Sequence, residues 1–218
     1  VKTTEVLGRR ERKKLMLREA LIEAAYNLFE QKGFDETRVE DITDEVDVSS
    51  RTFFRYFSSK EEVVLDYQEV EHDEVIAALQ ARPQGEPILT TLRHAVVEVV
   101  HGCEMGSYGL DSNRFNVLKH LIRGHPLVCA RNQERTQARK QTLVDVLASK
   151  MRVDPLLDMR PGMVAGVLEY AYTAAYEIWK ELPAGTRMYS DVLDEVFEAV
   201  EVGLNYPCPA NDGQAGAV

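Results

Sequence analysis

Apolar residues recur along this chain at intervals of three and four. Leu17, Ala20, Leu21, Ala24, Ala25, Leu28 and Phe29 keep the i, i+3, i+4, i+7 rhythm that lays one apolar stripe along an α-helix. Lys32-Gly33 closes the segment, because glycine takes the backbone that follows a helix end without a Cβ penalty. Thr37 fits the N-cap of a second helix over roughly 38–46, and Asp47-Val48-Ser49 is a short break. Ser49 then caps a third, short helix over about 50–56. Ser59, with Glu62 three residues later, matches a capping box and opens a helix that runs to about Arg82. Beyond the breaker Pro83-Gln84-Gly85-Glu86-Pro87, helical patterns cover about 87–103, 112–123, 126–151, 161–181 and 189–205, with Gly or Pro in the separators. No stretch shows sustained β alternation. The expected fold is all-α with about nine helices. The tail from 207 to 218, rich in Pro, Gly and Ala, is expected to be disordered.

Charge changes this picture more than composition does. The 218 residues carry a net charge of −10, which by itself argues against nucleic acid. Residues 1–60, however, hold 12 basic and 12 acidic side chains, so the whole excess of acid lies in 61–218. Within the balanced part, Arg9-Arg10-Glu11-Arg12-Lys13-Lys14 is a basic run, and 48–60 contains Arg51, Arg55 and Lys60 with no acid. Binding DNA needs such local patches rather than a basic whole, and an acidic remainder would face away from it. No apolar run approaches a membrane span, and the first residues lack the apolar core of a secretory signal, so a cytoplasmic location is expected. Cys103, Cys129 and Cys208 are widely spaced and odd in number, which points to reduced thiols rather than a disulfide frame or zinc finger.

Three short helices with a tight turn before the third are the layout of a helix-turn-helix, in which the third helix lies in the major groove. The third-helix segment Ser50-Arg51-Thr52-Phe53-Phe54-Arg55-Tyr56-Phe57 mixes hydroxyls, arginines and aromatics. Phe53 and Phe57 are four apart and can face Ile42 and Val46, which leaves Arg51, Thr52, Arg55 and Tyr56 to point outward. Gly33-Phe34-x-x-Thr37-x-Val39-x-Asp41-Ile42, then Val48-Ser49-x-x-Thr52-Phe53, then Tyr56-Phe57-x-Ser59-Lys60-Glu61, resembles the signature of the TetR family of transcriptional regulators over about residues 15–65. That resemblance implies backbone or base contacts from Thr37, Arg38 and Val39, groove-facing positions at Ser50, Arg51 and Thr52, and phosphate contacts from Tyr56 and Lys60. Arg55 serves either DNA or a nearby acid, Tyr56 either a phosphate or the core, and the Arg9–Lys14 run either a minor-groove arm or a soluble terminus. The sequence departs from the pattern at Thr43, Val46, Asp47, Arg51 and Phe54; Asp47 stands where a turn glycine is usual, and Asp tolerates left-handed geometry better than most residues.

The resemblance further implies a division into residues 1–58, an arm and helix-turn-helix; 59–206, a helical effector-binding and dimerisation domain; and the tail. The last two long helices would form a four-helix homodimer interface, to which Val164, Val167, Leu168, Ala171, Ala174, Ala175, Val192, Val196, Phe197, Val200 and Leu204 are matched, although the chain's own core must account for some of them. The other helices would enclose a pocket for a small, hydrophobic effector. Its candidate lining is His94, Val97, His101, Phe115, Leu118, Ile122, Met163, Tyr170, Tyr172, Tyr176 and Trp179, each of which is individually as compatible with an ordinary core. His94 and His101 are seven apart with Cys103 nearby, but no spacing supplies a further convergent ligand, so no metal and no cofactor are expected. No nucleophile elbow, phosphate loop or dinucleotide fingerprint occurs, so no enzyme is expected. Arg123-Gly124-His125-Pro126 resembles a helix-connecting hinge of the family. The function implied is a repressor that leaves a pseudo-palindromic operator when its effector binds. The alternative is a helical interaction or ligand-binding module that no longer regulates through DNA.

Overall fold

The computed structural model describes residues 8–108, 112–183 and 185–204, and among these every regular element is helical. In chain order they are α1 (Arg9–Lys32), α2 (Val39–Glu45), α3 (Ser50–Phe53), α4 (Lys60–Ala81), α5 (Ile88–Glu104), α6 (Ser112–Gly124), α7 (Pro126–Met151), α8 (Arg160–Trp179) and α9 (Tyr189–Val202). The expected tail at 207–218 lies outside the described residues.

The basic run Arg9–Lys14 forms the first turns of α1, because Arg, Lys and Glu are all strong helix formers. Gly33 ends α1 at φ 90°, a region that costs a side-chain-bearing residue strain, and its N–H reaches Phe29 O. Thr37 does not cap α2. Arg38 is the N-cap residue, the Asp41 carboxylate accepts from its N–H at 2.7 Å, and the Thr37 hydroxyl turns back to Gly33 O at 2.7 Å. Asp47 bridges α2 and α3 in the left-handed region at φ 52°, as its place in the turn demands. Ser49 caps α3 by accepting from Thr52 N at 3.3 Å. The helix proper is shorter than 50–56, but turn bonds carry the chain on: Arg55 N–H to Thr52 O, and Tyr56 and Phe57 N–H to Phe53 O. Ser59 makes no capping bond at α4, and its hydroxyl is buried without a partner.

Phe53 and Phe57 lie buried with their rings 5.6 Å apart, in one core with Ile42, Leu21, Ala25, Leu28 and Phe29. Further along the chain, α5 packs between α4 and α9, α8 packs on α9 and α7, and α7 lies along α4. The Arg93 guanidinium fastens α5 to α9 through Asp194, Glu198 and Glu201.

The two ends of the molecule are tied by specific bonds. Arg18 pairs with Asp66, Arg114 donates to Glu19 at 3.1 Å, and Tyr26 donates to Val64 O at 3.1 Å. His125, between α6 and α7, accepts from Val128 N–H through Nδ1, so its Nε2 carries the proton donated to Asp35 at 2.9 Å.

The apolar residues matched to a dimer interface divide differently. Val164, Ala171, Ala175, Val192 and Phe197 are buried within the chain. Val167, Leu168 and Val196 pack partly against the same core. Each helix must first cover its own core with one face, so the outward face presents other residues: Met163, Tyr170, Ile178 and Val202 are exposed, as is Leu204.

Candidate functional site

The α2–turn–α3 unit is rigidly propped and outwardly polar. Phe53 anchors α3 from beneath, and Arg51 stands exposed on its outer side, with Ser50 and Thr52 half-exposed. The Thr52 hydroxyl lies 3.0 Å from that of Ser49. Arg55 is exposed and its guanidinium rests over the Tyr56 ring at 5.3 Å, while Tyr56 is half-buried against the core. Phe54 projects from the same surface. Arg38 is exposed at the start of α2, and Val39 packs partly into the core. Beside it, the Lys32 ammonium bonded to Asp41, with the Arg38 N–H, holds that carboxyl below the ordinary carboxylate range.

Two of the expected DNA contacts lie elsewhere than at the outer surface. Thr37 is buried, with its hydroxyl spent on Gly33 O, so its side chain is withdrawn from the surface. Lys60 does not reach outward either. Its ammonium donates to the carbonyls of Phe34 (2.6 Å), Thr37 (3.1 Å) and Asp35 (3.3 Å) and sits over the Phe34 ring at 4.3 Å. The loop after α1 turns three carbonyls toward the start of α4, that of Phe34 also accepting from Thr37 N–H at 3.2 Å, and a three-donor ammonium matches them. Lys60 therefore fastens α4 to the α1–α2 loop.

In the C-terminal helices, a cavity of about 390 Å³ opens between α4, α6, α7 and α8. Its apolar walls include Val75, Ile122, Leu143, Ala165 and Leu168, and its polar groups include His72, Asn132, Gln133, Thr136, Arg123 and Thr173. Lys119 and Glu71 meet on its wall as a buried ion pair, Nζ to the two carboxylate oxygens at 2.9 and 3.2 Å. The rings of Phe115, Tyr172 and Tyr189 surround the ammonium, with centroids 4.9, 5.2 and 5.2 Å away. Burial first, then the charge of Glu71, pushes the Tyr172 phenol well above its ordinary value, so it stays a neutral hydroxyl. Burial also lowers His72 from its ordinary 6.5, aided by the nearby Arg139, so the ring favours its neutral form.

Of the candidate pocket residues, only Ile122 and Tyr172 line this cavity. Phe115 and Trp179 border a second hollow of about 510 Å³, where Trp179 stacks on His120. Tyr176 is buried with its hydroxyl 3.2 Å from His120 Nδ1. Leu118 is fully enclosed in the core, and Val97 packs against it. His94, Glu98 and His101 share the solvent face of α5, which is why the two histidines miss the cavity. His94 contacts Glu86 and Arg82, and His101 lies 3.4 Å from the Ser190 hydroxyl. Met163 and Tyr170 lie on the outward face of α8. Among the described residues, no three His, Cys, Asp or Glu side chains converge as a metal site. No helix among them is long and apolar enough to cross a membrane.

Sequence reasoning missed Glu71 and Lys119, although a signal was present. Tyr67, Glu71, Val75 and Leu79 follow one another at intervals of four along α4, and the other three are apolar and buried. Lys119 likewise follows Phe115 by four on the core face of α6. An acid and a base at core-register positions of two neighbouring helices need each other, since either alone would be a costly buried charge.

The geometry of both sites meets a consistent set of relatives. Residues 21–67 match the model of the bacterial regulatory proteins of the TetR family, and residues 86–205 match that of the MftR C-terminal domain. The chain is 33% identical over 163 residues to the HTH-type transcriptional regulator TcmR of Streptomyces glaucescens, a match covering 74% of this chain and 72% of that protein. The chain belongs to the TetR family of transcriptional regulators. Solved members of similar fold include a TetR-family regulator from Syntrophomonas wolfei, at 14% identity and TM-score 0.62 over 88% of this chain and 97% of that one. FadR of Thermus thermophilus, solved with lauroyl-CoA, is 23% identical, with TM-score 0.51 over 90% of this chain and 100% of that one. In this TetR-family chain the α2–turn–α3 unit is the helix-turn-helix, inside the N-terminal match that ends at residue 67, and α5–α9 fall within the C-terminal match.

Proposed function

We propose that this TetR-family regulator is a repressor that reads a two-fold operator as a homodimer and is released by a small molecule held in the α4–α6–α7–α8 cavity. The observation that carries the proposal is that α4 does both jobs. Its first residue, Lys60, is bonded to three carbonyls of the α1–α2 loop, and Glu71, His72 and Val75 further along it line the cavity. A ligand that displaces α4 moves the reading head with it, and a coupling of about 1–3 kcal/mol is enough for a useful switch.

Arg51 is the base-reading candidate: it is exposed on α3 and, among the described residues, has no ion-pair partner. Ser50, Thr52, Arg55 and Tyr56 flank it, and Arg38 approaches the backbone from α2. The homodimer surface is the outward face carrying Met163, Tyr170, Ile178 and Val202, and the molecule acts in the cytoplasm, where its operator lies. FadR of Thermus thermophilus offers a precedent for an acyl thioester ligand, but the mixed lining of this cavity favours an effector with polar groups over a purely hydrophobic one.

The test is fluorescence anisotropy with the DNA upstream of the chain's own gene, at a fixed salt concentration. Binding at least 10³-fold tighter than to random duplex is expected, on the order of the usual specificity ratio. Equal affinity for the two duplexes would overturn the proposal.

A further inference from the structure

We infer that the cavity selects an effector with an apolar body and a single oxyanion, such as a carboxylate or phenolate, and that Lys119 is the residue that anchors it. The inference rests on the cavity being the effector site. Four cationic side chains line the cavity: Lys119, Arg123, Arg139 and Lys140. Arg139 is spent on Glu69 and Lys140 faces Glu169. Arg123 bonds the Thr173 hydroxyl and, among the described residues, faces no carboxylate within ion-pair distance. The wall thus carries positive charge beyond what its acids neutralise.

Lys119 has three N–H donors, and among the described residues Glu71 alone accepts from it. The three aromatic faces around the ammonium attract the cation but take up no conventional hydrogen bond. An oxyanion entering from the cavity therefore finds an unspent donor in a desolvated, ring-lined setting, where a charge-assisted bond is strongest. Asn132 adds an independent sign. Its Oδ1 is buried at the cavity wall with no hydrogen-bond partner, and so asks for a donor such as a ligand hydroxyl. Glu71 belongs to α4, so an anion that competes for Lys119 acts on the helix that fastens the reading head.

A matched pair of fluorescent probes tests this: 1-anilinonaphthalene-8-sulfonate, and N-phenyl-1-naphthylamine, which is the same body without the anion. The anionic probe is expected to bind the full chain about tenfold tighter or better, the scale of one charge-assisted bond. Lys119→Met should remove that preference and leave the neutral probe unchanged. Because this variant strands a buried carboxylate and can fail to fold, the double variant Glu71→Gln/Lys119→Met, which removes both charges, is measured alongside it. Equal binding of the two probes to the wild type, or a preference that survives in the double variant, overturns the oxyanion inference. A Leu168→Trp variant, which fills the cavity, separates the two levels of the argument. If it abolishes binding of both probes while they bind the wild type equally, the cavity stands and only the anion falls. If neither probe binds, or Leu168→Trp leaves both untouched, the cavity itself is not the effector site.

Discussion

Replacing Lys60 by Met separates two roles that the sequence alone cannot tell apart. A lysine at the start of α4 suggests a phosphate contact, but the structure spends its ammonium on the carbonyls of Phe34, Asp35 and Thr37. Lys at the first residue of a helix is opposed by the positive end of the helix dipole, so the tie itself must hold it there. A hydrogen bond to a charged group contributes about 1.5–3 kcal/mol net, but this ammonium is only half-buried and water can re-solvate part of the loop. Lys60→Met should therefore cost about 2 kcal/mol in all, well below three full bonds. For a chain of this size that is a fall of roughly 4–8 °C in melting temperature, read by differential scanning fluorimetry. The decisive companion measurement is the salt dependence of DNA binding. Met at position 60 should leave the slope of log K against log salt unchanged, whereas loss of a phosphate contact lowers it by about one unit. An unchanged melting temperature together with a reduced slope would refute the structural tie and restore Lys60 to the DNA surface.

Other perturbations report on different parts of the molecule. Phe53→Ala empties a fully buried site beneath α3 and should cost about 3–5 kcal/mol, measured by chemical denaturation; a loss below 1 kcal/mol would mean that α3 is not propped by this ring. Arg51→Ala should weaken operator binding by about 1–3 kcal/mol while leaving random-sequence binding nearly unchanged, as competition anisotropy would show; equal losses on both duplexes would make Arg51 a backbone contact. His72 is held below its ordinary 6.5 by burial, so the unfolded chain binds its proton first and acidification through 6.5 and below favours unfolding. His72→Gln should flatten the fall in melting temperature between pH 7 and pH 5, two values chosen to bracket that titration; an unaltered pH profile would show that His72 is not the group responsible. Cys103 is buried, and burial pushes its thiol up to about 12; iodoacetamide in neutral buffer should label half-buried Cys129 and spare Cys103, as peptide mass spectrometry would show.

Much of this architecture follows from local rules written in the chain. The period of three and four, the Gly33 stop and the Ser49 cap act within a few residues, so they place α1 and α3 without knowledge of the rest. Phe53 and Phe57 were legible as core for the same reason: only one face of so short a helix can be buried. The TetR signature over residues 15–65 was legible because a reading head constrains many neighbouring positions at once. Thr37 and Lys60 mark the limit of that legibility. Both match the signature, but their side chains are claimed by carbonyls around the end of α1 that only the folded loop brings near. The cavity lay further out of reach. Which face of α5 or α8 turns inward depends on how five or six helices pack, so His94, His101, Met163 and Tyr170 came out on the surface. The Glu71–Lys119 pair, 48 residues apart in the chain, exists only once α4 and α6 are side by side. Sequence patterns determine what each helix offers, because periodicity is local; partners for a charge buried between helices are decided by the tertiary structure, because only packing sets which surfaces lose water together.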